Sequence, residues 1–422
     1  MNILQISTSD LANGAGIAAY RLNKALRNYS QNSQMLVSLK QSNDNYVYQV
    51  RPISQNSLNK FINKVQLKVE KIANYFGPQG VYSSNTQKVL KHPLVSQADI
   101  INIHNIHWHE NNFSLNILPI ISKKVPLVWT LHDMWPFTGH CIYSLDCTRW
   151  KIGCGYCPDL TSYMTLKMDT TALLYKIKKY IYKRSNLTIV TPSRWLQILA
   201  SQSPLLKQFN IFHIPNGINQ EIYKPIHKHY VRQVLDIDLN HPVVLFMASY
   251  LDDARKGYTY FEQAMLAIYD QFPNLQVLVV GLGKLPEILC FKFKVIFMGY
   301  VNNEKILALM YSAADIMIFP SYADNLPNTI LECLACGTPV VAFDSGGIPE
   351  IIKHLETGYI ARSKDSSDLA DGIVKLLRNT SMRIDMQNKC VKSITNNFSS
   401  SLQAERYFSL YEKLINTTNT NK

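Results

Sequence analysis

Two acidic side chains, Asp324 and Glu332, stand eight residues apart in the segment PSYADNLPNTILE, which runs from Pro320 to Glu332. Carboxylates at the carboxyl end of a strand can accept pairs of hydrogen bonds from sugar or ribose hydroxyls. The pattern puts Asp324 in a loop and Glu332 one to two turns into a helix that begins near Pro327. A basic pair, Arg255-Lys256, lies in DDARKG and can neutralise a diphosphate, although alone it reads as a solvated surface pair. Asp344-Ser345-Gly346-Gly347-Ile348-Pro349-Glu350 supplies a glycine-rich turn from strand to helix. No single one of these features is specific; their joint occurrence is.

A second set lies in the first half of the chain. Asn13-Gly14-Ala15-Gly16-Ile17-Ala18-Ala19 follows an apolar run and opens a helix, where glycines and the helix N-terminus can face an anion. Gly14, Gly16 and Ala19 fit G-x-G-x-x-A literally. The context excludes NAD: Thr8–Asn13 separates strand from glycine, and the next strand ends in Leu39-Lys40 without an acid for a ribose. His132, in Thr130-Leu131-His132-Asp133, ends a strand and can contact a sugar hydroxyl or stabilise charge. His104, His107 and His109 end the preceding strand and are read as polar cleft residues, since no carboxylate pattern supports a metal there. Cys141, Cys147, Cys154 and Cys157 crowd into one short segment. Four thiolates fit a tetrahedral zinc site, which with all positions filled by sulfur would be structural. Four reduced thiols packing a loop remain the other reading, with an iron–sulfur cluster third.

Something must position these residues. Short aliphatic runs alternate with helical patterns, which predicts βαβ units and parallel sheets. Strands are expected at Asn2–Ser7, Met35–Leu39, Asp99–Ile103, Pro126–Leu131 and Leu187–Thr191. A second series is expected at Val243–Ala248, Gln276–Val280, Val295–Met298, Asp315–Phe319 and Pro339–Phe343. Ile214–Tyr230, with Pro-Asn-Gly and a second proline, separates them. Two tandem Rossmann-like domains would meet at a cleft between the carboxyl ends of their sheets. The 422 residues suit two to three domains, and 47% hydrophobic with 17% charged residues excludes a disordered chain. MNILQISTSD lacks a basic leader and no apolar run is long enough to span a bilayer, so a cytoplasmic protein is expected.

From Pro320 to Glu350 the sequence PSYADNLPNTILECLACGTPVVAFDSGGIPE resembles the donor motif of the retaining glycosyltransferases of family 4 (glycosyl transferases group 1), which have the GT-B fold. The resemblance extends over nearly the whole chain. It implies an α/β protein with two Rossmann-like domains facing across a cleft: an acceptor-side domain 1–214, a nucleotide-sugar domain 215–396, and a C-terminal helix within 397–422 that crosses back. It implies that Glu332 holds the ribose, that Asp324, flanked by Asn325 and Leu326, addresses the donor sugar, and that Lys256, with Arg255, meets the diphosphate. The family normally has glutamate where Asp324 stands and an arginine nearer Ser249-Tyr250. Gly14 and Gly16, Gly346 and Gly347, and the cleft histidine His132 fall on further family positions. The segment HDMWPFTGHCIYSLDC with CGYCP is similar to a subgroup insertion that carries the thiols. The implied reaction moves a hexose from a nucleotide diphosphate sugar with retention and needs no catalytic metal.

The net charge of +13 and pI near 9.2 attract polyanions. Lys60, Lys64, Lys68 and Lys71 recur at helical spacing beside Phe61, Val65, Val69 and Ile72, and Lys176–Arg184 is a second basic–aromatic stretch. Such stripes read either as solvated faces or as anionic membrane contacts. A polyprenyl-linked or saccharide acceptor of surface polysaccharide (lipopolysaccharide, capsule or exopolysaccharide) is therefore expected, at the cytoplasmic side of the inner membrane. A nucleotide-sugar epimerase or a phosphorylase would share the fold. A nucleic-acid partner is not expected, because no reader module is present and the acidic pair would repel phosphates.

Overall fold

Runs such as Ile-Met-Ile-Phe and Val-Val-Ala-Phe are apolar on both faces, the mark of strands covered by helices on both sides of a parallel sheet. The computed structural model describes residues 1–29, 31–50, 85–107, 113–161, 165–284 and 287–420, with isolated positions between 64 and 83. It separates into two compact units, Met1–Asn216 with Ser401–Lys422, and Gly217–Ser400. Each has its own sheet and core.

The first sheet holds β1 (Asn2–Ser9), β2 (Asn32–Leu39), β3 (Val47–Gln49), β4 (Ile100–Ile103), β5 (Leu127–Thr130), β6 (Thr188–Thr191) and β7 (Asn210–His213). Their order is β3-β2-β1-β4-β5-β6-β7, all parallel. The second holds β8 (Val243–Tyr250), β9 (Gln276–Leu282), β10 (Lys294–Phe297), β11 (Ile316–Phe319), β12 (Val340–Phe343) and β13 (Gly358–Ala361), in the order β10-β9-β8-β11-β12-β13. In each unit the first strand is central and the winding reverses beside it, between β1 and β4 and between β8 and β11. Ligands of open α/β sheets bind at the carboxyl ends of the strands at such a reversal. The ten strands expected from the aliphatic runs are all present, their ends displaced by a few residues. The three not expected, β3, β7 and β13, are all edge strands. Each is short and paired on one side only; the fourth edge strand, β10, is expected because Val295, Ile296 and Phe297 form an apolar run.

The helix Ser400–Thr420 packs on the first unit, burying Ala404, Tyr407, Leu410 and Tyr411 against Ile3, Ile100, Val128 and Val190. Asn102 donates to the Tyr411 hydroxyl at 2.9 Å, and the hydroxyls of Thr130 and Tyr407 are 3.0 Å apart. Among the described residues no helix is long and apolar enough to cross a membrane. Of the lysine stripe, Lys60, Phe61, Val69 and Lys71 lie outside the described residues, as does His109; Lys64 and Lys68 are exposed. The Lys176–Arg184 stretch is not one solvated patch. Lys176, Lys179, Lys183 and Arg184 are exposed, but Lys178 is fully buried on the inner face of the helix Thr171–Tyr182.

Candidate functional site

At the reversal of the second sheet, three loops lock together through their backbones. After β8, Asp253 caps a short turn by accepting from the Arg255 amide at 3.0 Å. Gly257 follows in the left-handed region (φ +73°), and a Cβ there would lie 1.9 Å from the carbonyl oxygen of Pro320. The chain leaving β11 is thus pressed onto this turn, and the Tyr322 amide and Ser321 hydroxyl both donate to the Arg255 carbonyl at 3.1 Å. The loop after β12 closes on the same segment: the Gly347 amide donates to the Asp324 carbonyl at 3.1 Å and Ser345 Oγ to the Ser321 carbonyl at 2.7 Å.

This scaffold aims a carboxylate at two cations. Asp324 Oδ2 accepts from Lys256 Nζ at 2.6 Å, from Ser321 Oγ at 3.2 Å and from Arg255 Nη1 at 3.3 Å. Arg255 also reaches the Ala323 carbonyl at 2.8 Å and Asp253 Oδ2 at 3.0 Å. Burial alone would raise the Asp324 carboxyl, but the Lys256 and Arg255 charges hold it below its usual value. Burial and the neighbouring Arg255 lower Lys256 from its ordinary value, against the pull of Asp324. Glu332, the fifth residue of the helix Asn328–Ala335, is buried. Its Oε2 accepts from the hydroxyl of the fully buried Tyr311 at 2.7 Å, which also stands 3.3 Å from Met247 Sδ in β8. Asn325 and Leu326 are buried between the two acids in sequence. The structure therefore joins Arg255, Lys256, Asp324, Gly346 and Gly347 into one network and holds Glu332 by a separate partner.

The first unit carries its own polar cluster at its own reversal. Gln5 of β1, His104 after β4 and His132 after β5 form a chain: Gln5 Oε1 to His104 Nε2 is 2.8 Å, and His104 Nδ1 to His132 Nε2 is 3.0 Å. Burial, the largest cause for both, lowers His132 to about 4 and His104 well below its ordinary value, so both rings are neutral near pH 7. With the Gln5 oxygen placed towards His104, His104 donates to it and accepts from His132. The remaining nitrogen of His132, Nδ1, then bears the lone pair, an assignment made from the network. Beside them His107 Nε2 lies 3.0 Å from Asp133 Oδ2, and its ring stacks on Trp135 at 4.3 Å. The two glycines of the first loop differ. A Cβ at Gly16 would meet Ser9 at 2.7 Å, whereas nothing lies within 4 Å of one at Gly14. Asn13 accepts from the Gly16 amide at 2.8 Å and caps the helix Gly14–Asn28.

The histidines make a titration prediction. Folded His132 takes up a proton near pH 4, while a free histidine does so near about 6.5. Between those values the unfolded chain binds the extra proton, so stability is full above about pH 6.5 and falls as the pH drops towards 4. The loss from this group is on the order of 3 kcal/mol. Urea unfolding at neutral pH and near pH 5 should show a lower midpoint in acid, and His132→Asn should shrink the difference. Equal midpoints in the wild type would refute it.

The four clustered cysteines border a single cavity of about 20 Å³, together with His140, Arg149, Trp150, Pro158 and Thr171. The Gly139 amide donates to Cys154 Sγ at 3.1 Å, and Cys157 Sγ donates to the Asp159 carbonyl at 3.1 Å. Burial pushes the Cys141 thiol up to about 12 and the Cys154 thiol up to about 11. As placed, no three His, Cys, Asp or Glu side chains among the described residues stand in an arrangement that would hold a metal ion. Gln5, Tyr311, Ser321 and Lys178 were not among the residues singled out by their sequence context as site residues. Gln5 and Tyr311 are lone polar residues in apolar or mixed stretches, Lys178 is hidden in a run of basic residues, and each has a partner far along the chain.

Residues 241–379 match the family Glycosyl transferases group 1. A protein of Escherichia coli (strain K12), provisionally named as the colanic acid biosynthesis glycosyl transferase WcaC, is 27% identical over 273 residues, 59% of this chain and 62% of its own. The N,N'-diacetylbacillosaminyl-diphospho-undecaprenol alpha-1,3-N-acetylgalactosaminyltransferase of Campylobacter jejuni is 28% identical over 207 residues, 47% of this chain and 53% of its own. The chain thus spans less than two thirds of the length of either relative. Among solved structures, sucrose-phosphate synthase from Thermosynechococcus elongatus superposes with a TM-score of 0.67 at 18% identity, covering 99% of this chain and all of that one. Anabaena Alr3699/HepE in complex with UDP and glucose superposes with a TM-score of 0.63 at 16% identity, covering 98% and 100%. The fold is that of two parallel-sheet α/β domains, and these neighbours are GT-B glycosyltransferases.

Proposed function

We propose that the protein is a retaining glycosyltransferase that moves a hexose from a nucleotide diphosphate sugar to a lipid-linked or saccharide acceptor in the synthesis of surface polysaccharide. The observation that carries this reading is the Lys256–Asp324–Arg255 network at the reversal of the second sheet. Lys256 and Arg255 offset the charge of the diphosphate; Asp324, kept ionised by them, accepts hydrogen bonds from the hexose hydroxyls. Glu332, oriented by Tyr311, accepts from the ribose hydroxyls. Asn325, Leu326, Gly346 and Gly347 line the approach to the donor on the second unit. His132, neutral and with a lone pair on Nδ1, accepts from a sugar hydroxyl. In the reaction the bond from the anomeric carbon to the diphosphate oxygen breaks and the acceptor oxygen bonds on the same face. The leaving phosphate takes the acceptor's proton, and Lys256 stabilises the charge that develops there. The reading needs no catalytic metal. The names of the relatives and the excess of basic residues support an acceptor at an anionic membrane surface.

Calorimetry of nucleoside diphosphate binding tests the donor assignment. Glu332→Ala should weaken binding by about 1–3 kcal/mol, the scale of hydrogen bonds to a charged group. Tyr311→Phe should cost less, about 0.5–1.5 kcal/mol, because it removes one hydrogen bond that orients the carboxylate. Wild-type affinity in Glu332→Ala would overturn the role of that residue.

A further inference from the structure

The transfer reaction uses none of the thiols and gives no reason for a fully buried lysine on the helix Thr171–Tyr182. The two belong together. Lys178 Nζ donates to the Trp135 carbonyl and, at 2.9 Å, to the Thr138 carbonyl, and it lies 3.6 Å from the centre of the Trp135 ring. Among the described residues its hydrogen bonds go to these two backbone carbonyls. Burial draws the Lys178 amine down from its ordinary value, against the pull of Cys154, Cys141 and Asp133, and a buried cation is costly unless negative charge stands nearby. The next residue after Thr138 is Gly139, whose amide points at Cys154 Sγ, and the Thr138 hydroxyl donates to the carbonyl of Cys141 at 2.6 Å. The ammonium thus sits one residue away from the segment that holds two of the four thiols.

We propose that Cys141, Cys147, Cys154 and Cys157 form one tetrathiolate site for a zinc ion, with Lys178 as its buried counter-charge. The four side chains come from three stretches of one loop and border the same cavity, whose volume of about 20 Å³ is the size of one ion or one water. The Cys154–Cys157 pair is turned towards it by three successive left-handed residues, Cys154, Gly155 and Tyr156, with φ of 59°, 88° and 48°. Hydrogen bonds from the Gly155 amide to Thr171 Oγ1 at 3.0 Å and from the Cys157 amide to Asp169 Oδ2 at 2.8 Å hold the loop, but not all of its large apolar side chains are covered. Trp150 is buried, but Ile152 is 86% and Tyr156 89% exposed. In binding, Zn²⁺ and four Cys–SH give a zinc tetrathiolate of charge −2 and four released protons. The thiols as placed form no ligand set, so binding would have to draw the four sulfurs together, with the Gly139 amide and Lys178 offsetting the dianion. All four positions are then sulfur, so the ion is structural.

The site reaches the sugar-facing cluster through contacts already named. Lys178 holds the carbonyls of Trp135 and Thr138; Trp135 stacks on His107; His107 binds Asp133, the neighbour of His132. Metal loss should therefore disturb the acceptor side and spare nucleotide binding, for which the second unit supplies the network described above.

The test uses the full chain purified without chelator. Elemental analysis should find one zinc per chain, and X-ray absorption should find four sulfurs at about 2.3 Å. Cys154→Ser should lower zinc affinity by at least about 10–100-fold, and Lys178→Met, which removes no sulfur, by a similar factor, the range typical of groups that support a ligand. Cys290→Ser, at an exposed thiol outside the cluster, should leave zinc content unchanged. Stripping the metal should expose the loop to proteolysis and leave calorimetric binding of nucleoside diphosphate as before. If a ligand variant fails to fold, substitution of cobalt(II) into the wild type still reports the ligand set by its tetrathiolate spectrum. Protein that purifies without zinc and does not take up added zinc, or whose four thiols are found as disulfides, overturns the proposal. Unaltered zinc affinity in Lys178→Met overturns the part given to that residue.

Discussion

Replacing Lys256 with alanine is expected to slow sugar transfer by about 10²–10³-fold, the usual cost of removing a donor aimed at charge that develops in a transition state. Lys256 Nζ is 2.6 Å from Asp324 Oδ2 and only 18% of its side chain is exposed, so water screens it weakly. Its removal acts twice. The departing diphosphate loses a fixed positive charge, and Asp324 loses the nearer of the two cations that keep its carboxyl ionised against burial. Arg255 remains beside Asp324 at 3.3 Å and already spends contacts on Asp253 and Ala323, so it compensates in part. The loss should appear in kcat as well as in KM for the nucleotide sugar, with little change in the unfolding midpoint. Steady-state rates within about threefold of wild type would remove Lys256 from the reaction.

Gly346→Ala should be the most damaging small substitution in the donor network. Gly346 has φ +57°, and an added methyl carbon would sit 1.8 Å from the backbone oxygen of Asp324, far inside any real contact. The backbone must move, and the loop it displaces is the one that carries Asp324. A cost of about 2–4 kcal/mol in stability is expected from strain and clash together, with nucleotide binding reduced more than that of Tyr311→Phe. Gly14→Ala is the matched control: nothing lies within 4 Å of the added carbon, and the position begins a helix. It should leave stability unchanged or raise it by up to about 1 kcal/mol. Thermal unfolding of the two variants checks both, and a Gly346→Ala protein as stable as wild type would mean that the three loops do not interlock.

What the sequence made legible followed from local patterns. The buried central strands are continuous aliphatic runs, and the loop from Pro320 to Pro327 places an acid beside a proline-started helix, so both the sheets and the position of Asp324 and Glu332 could be read. The edge strands β3, β7 and β13 could not, since a strand with a single paired neighbour can do without a run of buried residues, although the edge strand β10 keeps one in Val295–Phe297. The partners were harder still. Asp324 and Lys256 are 68 residues apart and meet only because β8 and β11 are neighbours at the reversal of the sheet. Gln5 reaches His104 across 99 residues for the same reason in the first unit. Lys178 was absorbed into a run of basic residues on its helix, and only packing reveals that it faces inward. Charge patterning describes a face when the residue is exposed; it misleads when one member of the run points into the core.

The central claim is transfer of a sugar with retention, and product analysis tests it most directly. The protein would be incubated with a panel of nucleotide diphosphate hexoses and undecaprenyl-diphosphate-linked or free saccharide acceptors. Mass spectrometry would follow the acceptor and nuclear magnetic resonance the new linkage. The account predicts one nucleoside diphosphate released for each glycoside formed, with the anomeric configuration of the donor kept in the product. Interconversion of sugars with no glycosidic product, or a product of inverted configuration, would contradict it.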